Sequence, residues 1–165
     1  MDTLLYKARC GDAEAFISLM EKEKMTLRRV AYGYLGNDED VADAIQDTIL
    51  AAYEHIGSLK KDEYFITWLV RILINNCTRI WRANKKKARL CEENFAEDIG
   101  MDDADMQFKE LLLGLPEDSR VIFQLYYGEQ FTTKEIANAL HMKENTVKSR
   151  LHRGKERLYA QLQQG

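Results

Sequence analysis

The sequence predicts an all-α chain of two small helical domains, and three observations carry that reading. One proline in 165 residues points to helix, because a helix interior excludes a residue that lacks an N–H and crowds the turn before it. Apolar residues recur at three- and four-residue spacing along most of the chain, the period of a helix face. Between two such blocks lies "EENFAEDIGMDDAD", residues 92–105, with seven acids and no base, which reads as a solvated tether. The expected division is therefore a domain at 1–88, an acidic flexible linker at 89–107 and a domain at 108–165.

In the first block, "DAEAFISLMEKEKMTLRRVAYGYL" puts Phe16, Leu19, Met20, Leu27, Val30, Ala31 and Tyr34 on one stripe. "GND" at 36–38 breaks it, with Asn37 or Asp38 able to cap the next helix. That helix, "DVADAIQDTILAAYEHI", carries Val41, Ala44, Ile45, Thr48, Ile49, Ala52, Tyr53 and Ile56 on one side and Asp40, Asp43, Gln46 and Asp47 on the other. "GSLKKDEY" reads as a loop. In "YFITWLVRILINNCTRIWRANKKKAR", Phe65, Trp68, Leu69, Ile72, Leu73, Asn76 and Ile80 follow one face. Arg71, Asn75, Arg79 and Arg82 follow another, extended by Lys85, Lys86, Lys87 and Arg89. The stripe assigns Trp68 to the core; Trp81 lies beside it and receives no assignment.

In the second block, Pro116 fits the first turn of a helix, where its missing N–H costs nothing. Val121, Ile122, Leu125 and Tyr126 form the expected core stripe of that helix, and Gly128 its stop. "TTKE" at 132–135 has capping-box form, with Ile136, Ala137 and Leu140 as the buried face of a short helix. A turn near His141 leads into "NTVKSRLHRGKERL", residues 145–158. Advancing about 100° per residue, Val147, Leu151, Gly154 and Leu158 fall together and should pack on the shorter helix. Asn145, Ser149, His152, Arg153 and Glu156 fall opposite, flanked by Lys148, Arg150, Lys155 and Arg157. A core stripe, an opposite hydrogen-bonding face and basic flanks describe a recognition helix for a major groove.

Composition narrows the function classes. No apolar run approaches the roughly 20 residues that span a bilayer, and "MDTLLYKARCGDAEAF" lacks the basic and apolar regions of a signal peptide. A cytoplasmic protein with no membrane insertion is expected. Cys10, Cys77 and Cys91 form no CxxC pair, and His55, His141 and His152 show no HExxH spacing. No P-loop or GxSxG occurs. The expectation is a protein without metal, cofactor, small-molecule substrate or catalytic residue, and so not an enzyme.

The stretch 115–158, "LPEDSRVIFQLYYGEQFTTKEIANALHMKENTVKSRLHRGKERL", resembles region 4 of bacterial sigma factors. "GDAEAFISL", "AYGYLGNDEDVADAIQDTILAAY" and "FITWLVRILINNCTRIWRANKKK" resemble region 2. Two regions and a short tether are similar to the extracytoplasmic-function (ECF) group. The resemblance implies a subunit that binds the β′ and β subunits of core RNA polymerase and directs initiation through promoter −35 and −10 elements. By family position, Asp43, Gln46 and Asp47 dock on the β′ coiled coil. The loop 59–65 and Asn75 form a pocket for a flipped −10 base, so Tyr64 and Phe65 belong to that site, with Lys60, Lys61, Arg71, Arg79, Arg82 and the 85–87 lysines holding phosphates. Lys148, Ser149, His152 and Arg153 read the −35 element. An anti-sigma factor is the implied controlling partner.

His141 stands where many relatives have Gly, a substitution that His tolerates at positive φ better than most residues. Lys143 stands where many have a Ser cap, and it supplies no oxygen, which leaves the helix start open by a residue or two. The net charge of −3, from 24 Lys and Arg against 27 Asp and Glu, suits a subunit carried to DNA by a larger enzyme, since few phosphate contacts per module give weak binding alone. The main alternative is a stand-alone helix-turn-helix regulator with residues 1–88 as a sensor or dimerisation module. An enzyme of nucleic-acid metabolism is a further one, without a nucleophile or carboxylate cluster to carry it.

Overall fold

The structure, a computed structural model, describes residues 2–88, 111–112 and 114–164. The acidic run 92–105, the linker expected at 89–107, Arg89 and Cys91 lie outside the described residues. The chain divides into two compact units, Met1–Phe95 and Ala96–Gly165. Among the described residues all regular elements are helical.

The first unit contains α1 (Thr3–Arg9), α2 (Ala13–Leu35), α3 (Asp38–His55) and α4 (Phe65–Ala88). Side-chain caps set the first three starts: Asp2 accepts from the Leu4 N–H at 3.1 Å, Asp12 from Ala15 at 3.1 Å, and Asn37 from Asp40 at 2.9 Å. These bonds satisfy amide donors that a helix start leaves orphaned. Gly36, at φ +74°, ends α2 and returns its N–H to the Tyr32 carbonyl at 2.9 Å, the left-handed stop that glycine adopts without strain.

The stripes read from sequence are largely the buried ones, with differences in all three long helices. In α2, Tyr34 is half-buried and Tyr32 is buried instead. Leu69 and Leu73 of α4 are buried as expected, but so are Val70, Ile74 and Cys77, while Trp68 is half-buried. α4 packs against both α2 and α3, so its buried arc is wider than a one-sided stripe. Tyr53 is 54% exposed rather than core. It follows Ile45 and Ile49 along the margin of the α3 stripe, and its ring meets Phe16 edge-on at 5.1 Å.

The second unit contains α5 (Glu117–Phe123), a π-helical turn Gln124–Gly128, α6 (Thr133–Leu140) and α7 (Glu144–Gln163). Pro116 stands directly ahead of α5. Val121, Ile122 and Leu125 are core, but Tyr126 is 38% exposed and Phe123 is buried in its place. Phe123 precedes the π turn and is buried because α7 packs on it at Gly154, while Tyr126 lies within the turn, off the 3.6-residue register. Phe123 joins Leu112 and Leu115, with Leu151 and Leu158 of α7 packed on them.

α7 approaches this cluster closely because Gly154 has no side chain. A Cβ there would stand 2.5 Å from Phe123 Cε2 and 2.7 Å from Cζ. Gly154→Ala should therefore destabilise the protein: overpacking costs about 1–3 kcal/mol, more than the gain of up to about 1 kcal/mol in helix propensity. Urea unfolding followed by far-UV circular dichroism checks this, and an unchanged or raised midpoint would refute it.

Candidate nucleic-acid interface

In the second unit the helix pair is built by local chemistry. The Thr132 hydroxyl accepts from the Glu135 N–H at 3.1 Å, and the Glu135 carboxylate accepts from the Thr132 N–H at 3.4 Å, the reciprocal capping box. His141 turns the chain at φ +55°, and the next amide, Met142, donates to the Ala137 carbonyl at 3.0 Å. His141 thus holds the left-handed conformation expected of the turn, one that His tolerates better than most residues.

Lys143 precedes α7 and makes no side-chain cap. The helix start is secured by its first residue instead. The Glu144 carboxylate accepts from the Thr133 hydroxyl at 2.9 Å, tying the start of α7 to the start of α6, and lies 3.4 Å from Lys148 Nζ. A carboxylate in the first turn also suits the positive end of the helix dipole.

Val147 and Gly154 of α7 are buried, and Leu151 and Leu158 half-buried. The expectation that this stripe packs on the shorter helix is met only in part, because α7 packs on both α5 and α6 and its leucines reach the Phe123 cluster. Asn145, Lys148, Ser149, His152, Arg153 and Glu156 are all exposed. Lys148, Ser149, His152 and Arg153 form two adjacent pairs at i,i+4 spacing, so they share one strip of surface. Arg153 Nε donates to the Ser149 carbonyl at 3.4 Å, and His152 Nε2 lies 3.3 Å from Glu156 Oε1. Among the described residues of this unit, no other element closes over the strip, which offers hydrogen-bonding groups within one helix width.

In the first unit the candidates occupy the α3–α4 seam, the outer face of α4 and the loop before it. Asp43 and Gln46 of α3 are both exposed, facing away from the α3 stripe. Asp47 is half-exposed, and its Oδ2 accepts from Arg79 Nη2 at 2.6 Å. The same seam holds Asp40, which accepts from Asn84 at 2.6 Å and from Asn37 at 2.7 Å. Below it, the buried Thr48 hydroxyl accepts from Asn76 at 3.1 Å and donates to the Ala44 carbonyl at 2.6 Å. Two groups given separate tasks in the sequence, Asp47 and Arg79, are thus paired.

Arg71, Asn75, Arg79 and Arg82 fall within an arc of about 80° on α4, together with Trp68. Asn75, Arg79 and Arg82 are exposed and Arg71 is half-buried. Further along, the Lys85 ammonium sits 4.6 Å over the Trp81 ring, a cation–π contact that keeps the half-buried Trp81 near the basic end of the helix. In the loop, Lys60, Lys61 and Tyr64 are exposed. Phe65 is not on its surface: as first residue of α4 it is buried, with its ring 6.2 Å from Trp68. It supports the loop from beneath. Periodicity cannot show the loop's second support, a pair of hydrogen bonds from Arg9 in α1 to Asp62 and to the Leu59 carbonyl.

The Thr133 hydroxyl bond, and then the Lys148 charge, hold the Glu144 carboxyl below its ordinary pKa. A lowered folded-state value means that the link is intact at neutral pH and is lost only as pH falls through that lowered value. In Thr133→Val the Glu144 titration should move up toward the ordinary carboxyl range. NMR titration of its side-chain carbon reads this, and an unmoved titration would contradict the link.

Comparison with known proteins places these faces in a family. Residues 19–87 match the model for Sigma-70 region 2, and residues 105–158 the model for Sigma-70, region 4. The chain is 29% identical to the ECF RNA polymerase sigma factor SigW of Bacillus subtilis, over 92% of this chain and 91% of that protein. It is 30% identical to the ECF RNA polymerase sigma factor SigM of Mycobacterium tuberculosis, over 90% of this chain and 77% of that one. The solved structure of CnrH in complex with the cytosolic domain of CnrY aligns with a TM-score of 0.71 at 26% identity, covering 97% of this chain and 95% of that one. With both regions matched in order and relatives aligned over nine-tenths of its length, the chain belongs to the ECF sigma factors, which direct the initiation of transcription by RNA polymerase.

Proposed function

We propose that the two units divide the promoter between them. Residues 1–88 bind core polymerase and read the −10 element, 108–165 read the −35 element, and 89–107 tether them. The observation that carries this reading is that each unit displays a polar or basic helix face directly opposite its buried stripe, α4 in one and α7 in the other. On α3, Asp43, Gln46 and Asp47 form the surface for the β′ coiled coil. Lys60, Lys61, Arg71, Arg79 and Arg82 hold −10 phosphates, and Tyr64 and Asn75 meet the flipped base, since unstacked bases take aromatic and hydrogen-bonding partners. Lys148, Ser149, His152 and Arg153 enter the −35 major groove.

The regulator alternative is not favoured, because the region 2 match occupies residues 19–87 and leaves no separate sensor module there. Nucleotide addition then belongs to the polymerase, and this chain contributes no catalysis. No helix among the described residues is long and apolar enough to cross a membrane, in keeping with action in the cytoplasm. An anti-sigma factor is the proposed controlling partner. The complex of CnrH with the cytosolic domain of CnrY supports a protein partner for this fold.

Variants separate the tasks. Arg153→Ala should relax base preference at one −35 position, losing about 1–3 kcal/mol of discrimination there, with −10 preference intact. Asn75→Ala should do the reverse, and Asp43→Ala combined with Gln46→Ala should weaken holoenzyme assembly for every promoter alike. Initiation on a promoter series with single-base changes in each element reads all three. If Arg153→Ala altered −10 preference, or Asn75→Ala altered −35 preference, the division would be wrong.

A further inference from the structure

We infer that Arg9 is the positioning residue of the loop 59–65, holding it in the shape that reads the −10 element. This rests on the reading of that loop as part of the −10 pocket. Arg9 lies upstream of the matched segment 19–87, and it touches the loop through two hydrogen bonds. Its Nη1 donates to Asp62 Oδ1 at 2.7 Å, and its Nη2 donates to the Leu59 carbonyl at 2.6 Å.

The two prongs of one planar guanidinium thus grip both ends of Leu59-Lys60-Lys61-Asp62. A lysine there has a single point of charge and cannot span both. Leu59 and Lys61 have extended backbone, at φ −63°, ψ 121° and φ −137°, ψ 134°. The Leu59 side chain is buried, and Lys60 and Lys61 face solvent. The grip fixes this extended segment, and with it the direction of the two lysines and of Tyr64 beyond them.

The helix behind Arg9 is itself firm. α1 buries Leu5 and Ala8, packs on α2 and touches the 3-10 turn Ile56–Ser58. The Arg9 and Asp62 side chains are only 28% and 25% exposed, so water competes less for the pair than for an open surface bridge. Arg9 also neutralises Asp62, an acid that would otherwise oppose phosphate beside Lys60 and Lys61.

The test measures open-complex formation by holoenzyme on a promoter with its preferred −10 sequence and on the same promoter with single −10 substitutions. Arg9→Ala should shrink the ratio between them roughly tenfold, the scale of one lost base contact, while −35 preference and the holoenzyme titration midpoint stay at wild type. Arg9→Lys, keeping the charge without the two-pronged grip, should fall between, and it carries the test if Arg9→Ala does not fold. If Arg9→Ala keeps the −10 ratio while Lys61→Ala or Tyr64→Ala shrinks it, the loop reading stands and the role of Arg9 falls. If neither kind of variant changes the ratio, both fall. An equal drop on all promoters, with the ratio intact, marks Arg9 as structural support only and also overturns the proposal.

Discussion

Helix α4 must be buried on two sides and open on a third, and the first unit is arranged around that demand. Leu69, Val70, Leu73, Ile74 and Cys77 are all at or near full burial, and each large aliphatic side chain removed from water contributes about 1.5–3 kcal/mol. Rotating the helix by a single residue would expose part of this set and push Arg71 or Asn75 against α2 or α3, where an unpaired polar group is costly. Burial therefore aims the remaining strip at solvent. Cys77 is fully buried on the inner side, and that burial pushes its thiol up to about 12. It stays protonated and packs as a small apolar residue.

The second unit solves the same problem with less material. α7 is longer than α6, so its outer part leans on Leu112, Leu115 and Phe123, and glycine at 154 permits the approach. Its start depends on a borrowed hydroxyl, Thr133 of α6, because the residue ahead of it offers no cap. The two lashings, at the Glu144 end and at the Gly154 contact, set the rotation of α7 and hence which four side chains lie on the open strip.

Much of this was legible in the sequence because it is local. The capping box at Thr132 and Glu135, the stop at Gly36, the cap at Asn37 and the exposed strip of α7 each depend on residues close together in the chain. The features that escaped depend on a distant partner or on a broken period. α4 has two neighbours rather than one, so Val70, Ile74 and Cys77 fell outside the one-sided stripe. Phe123 is buried by α7 at Gly154, and Tyr126 falls within the π turn at 124–128, off the regular period. Phe65 belongs to both a core stripe and a site by sequence, and only packing places it inside. The Arg9–Asp62 and Asp47–Arg79 pairs join residues 53 and 32 positions apart, and no spacing rule reaches that far. The net acidity also gains a local explanation, because Asp2, Asp12 and Glu135 each accept from an amide at a helix start. A chain of many helices has many amide ends to satisfy.

The account turns on whether these two open faces work only when polymerase carries them. Run-off transcription with core RNA polymerase, the purified protein and genomic fragments from its source organism tests that directly. The account predicts defined starts that require the protein and share upstream −35 and −10 sequences. Specific binding of duplex DNA by the protein alone, with core polymerase left unable to initiate, would contradict it.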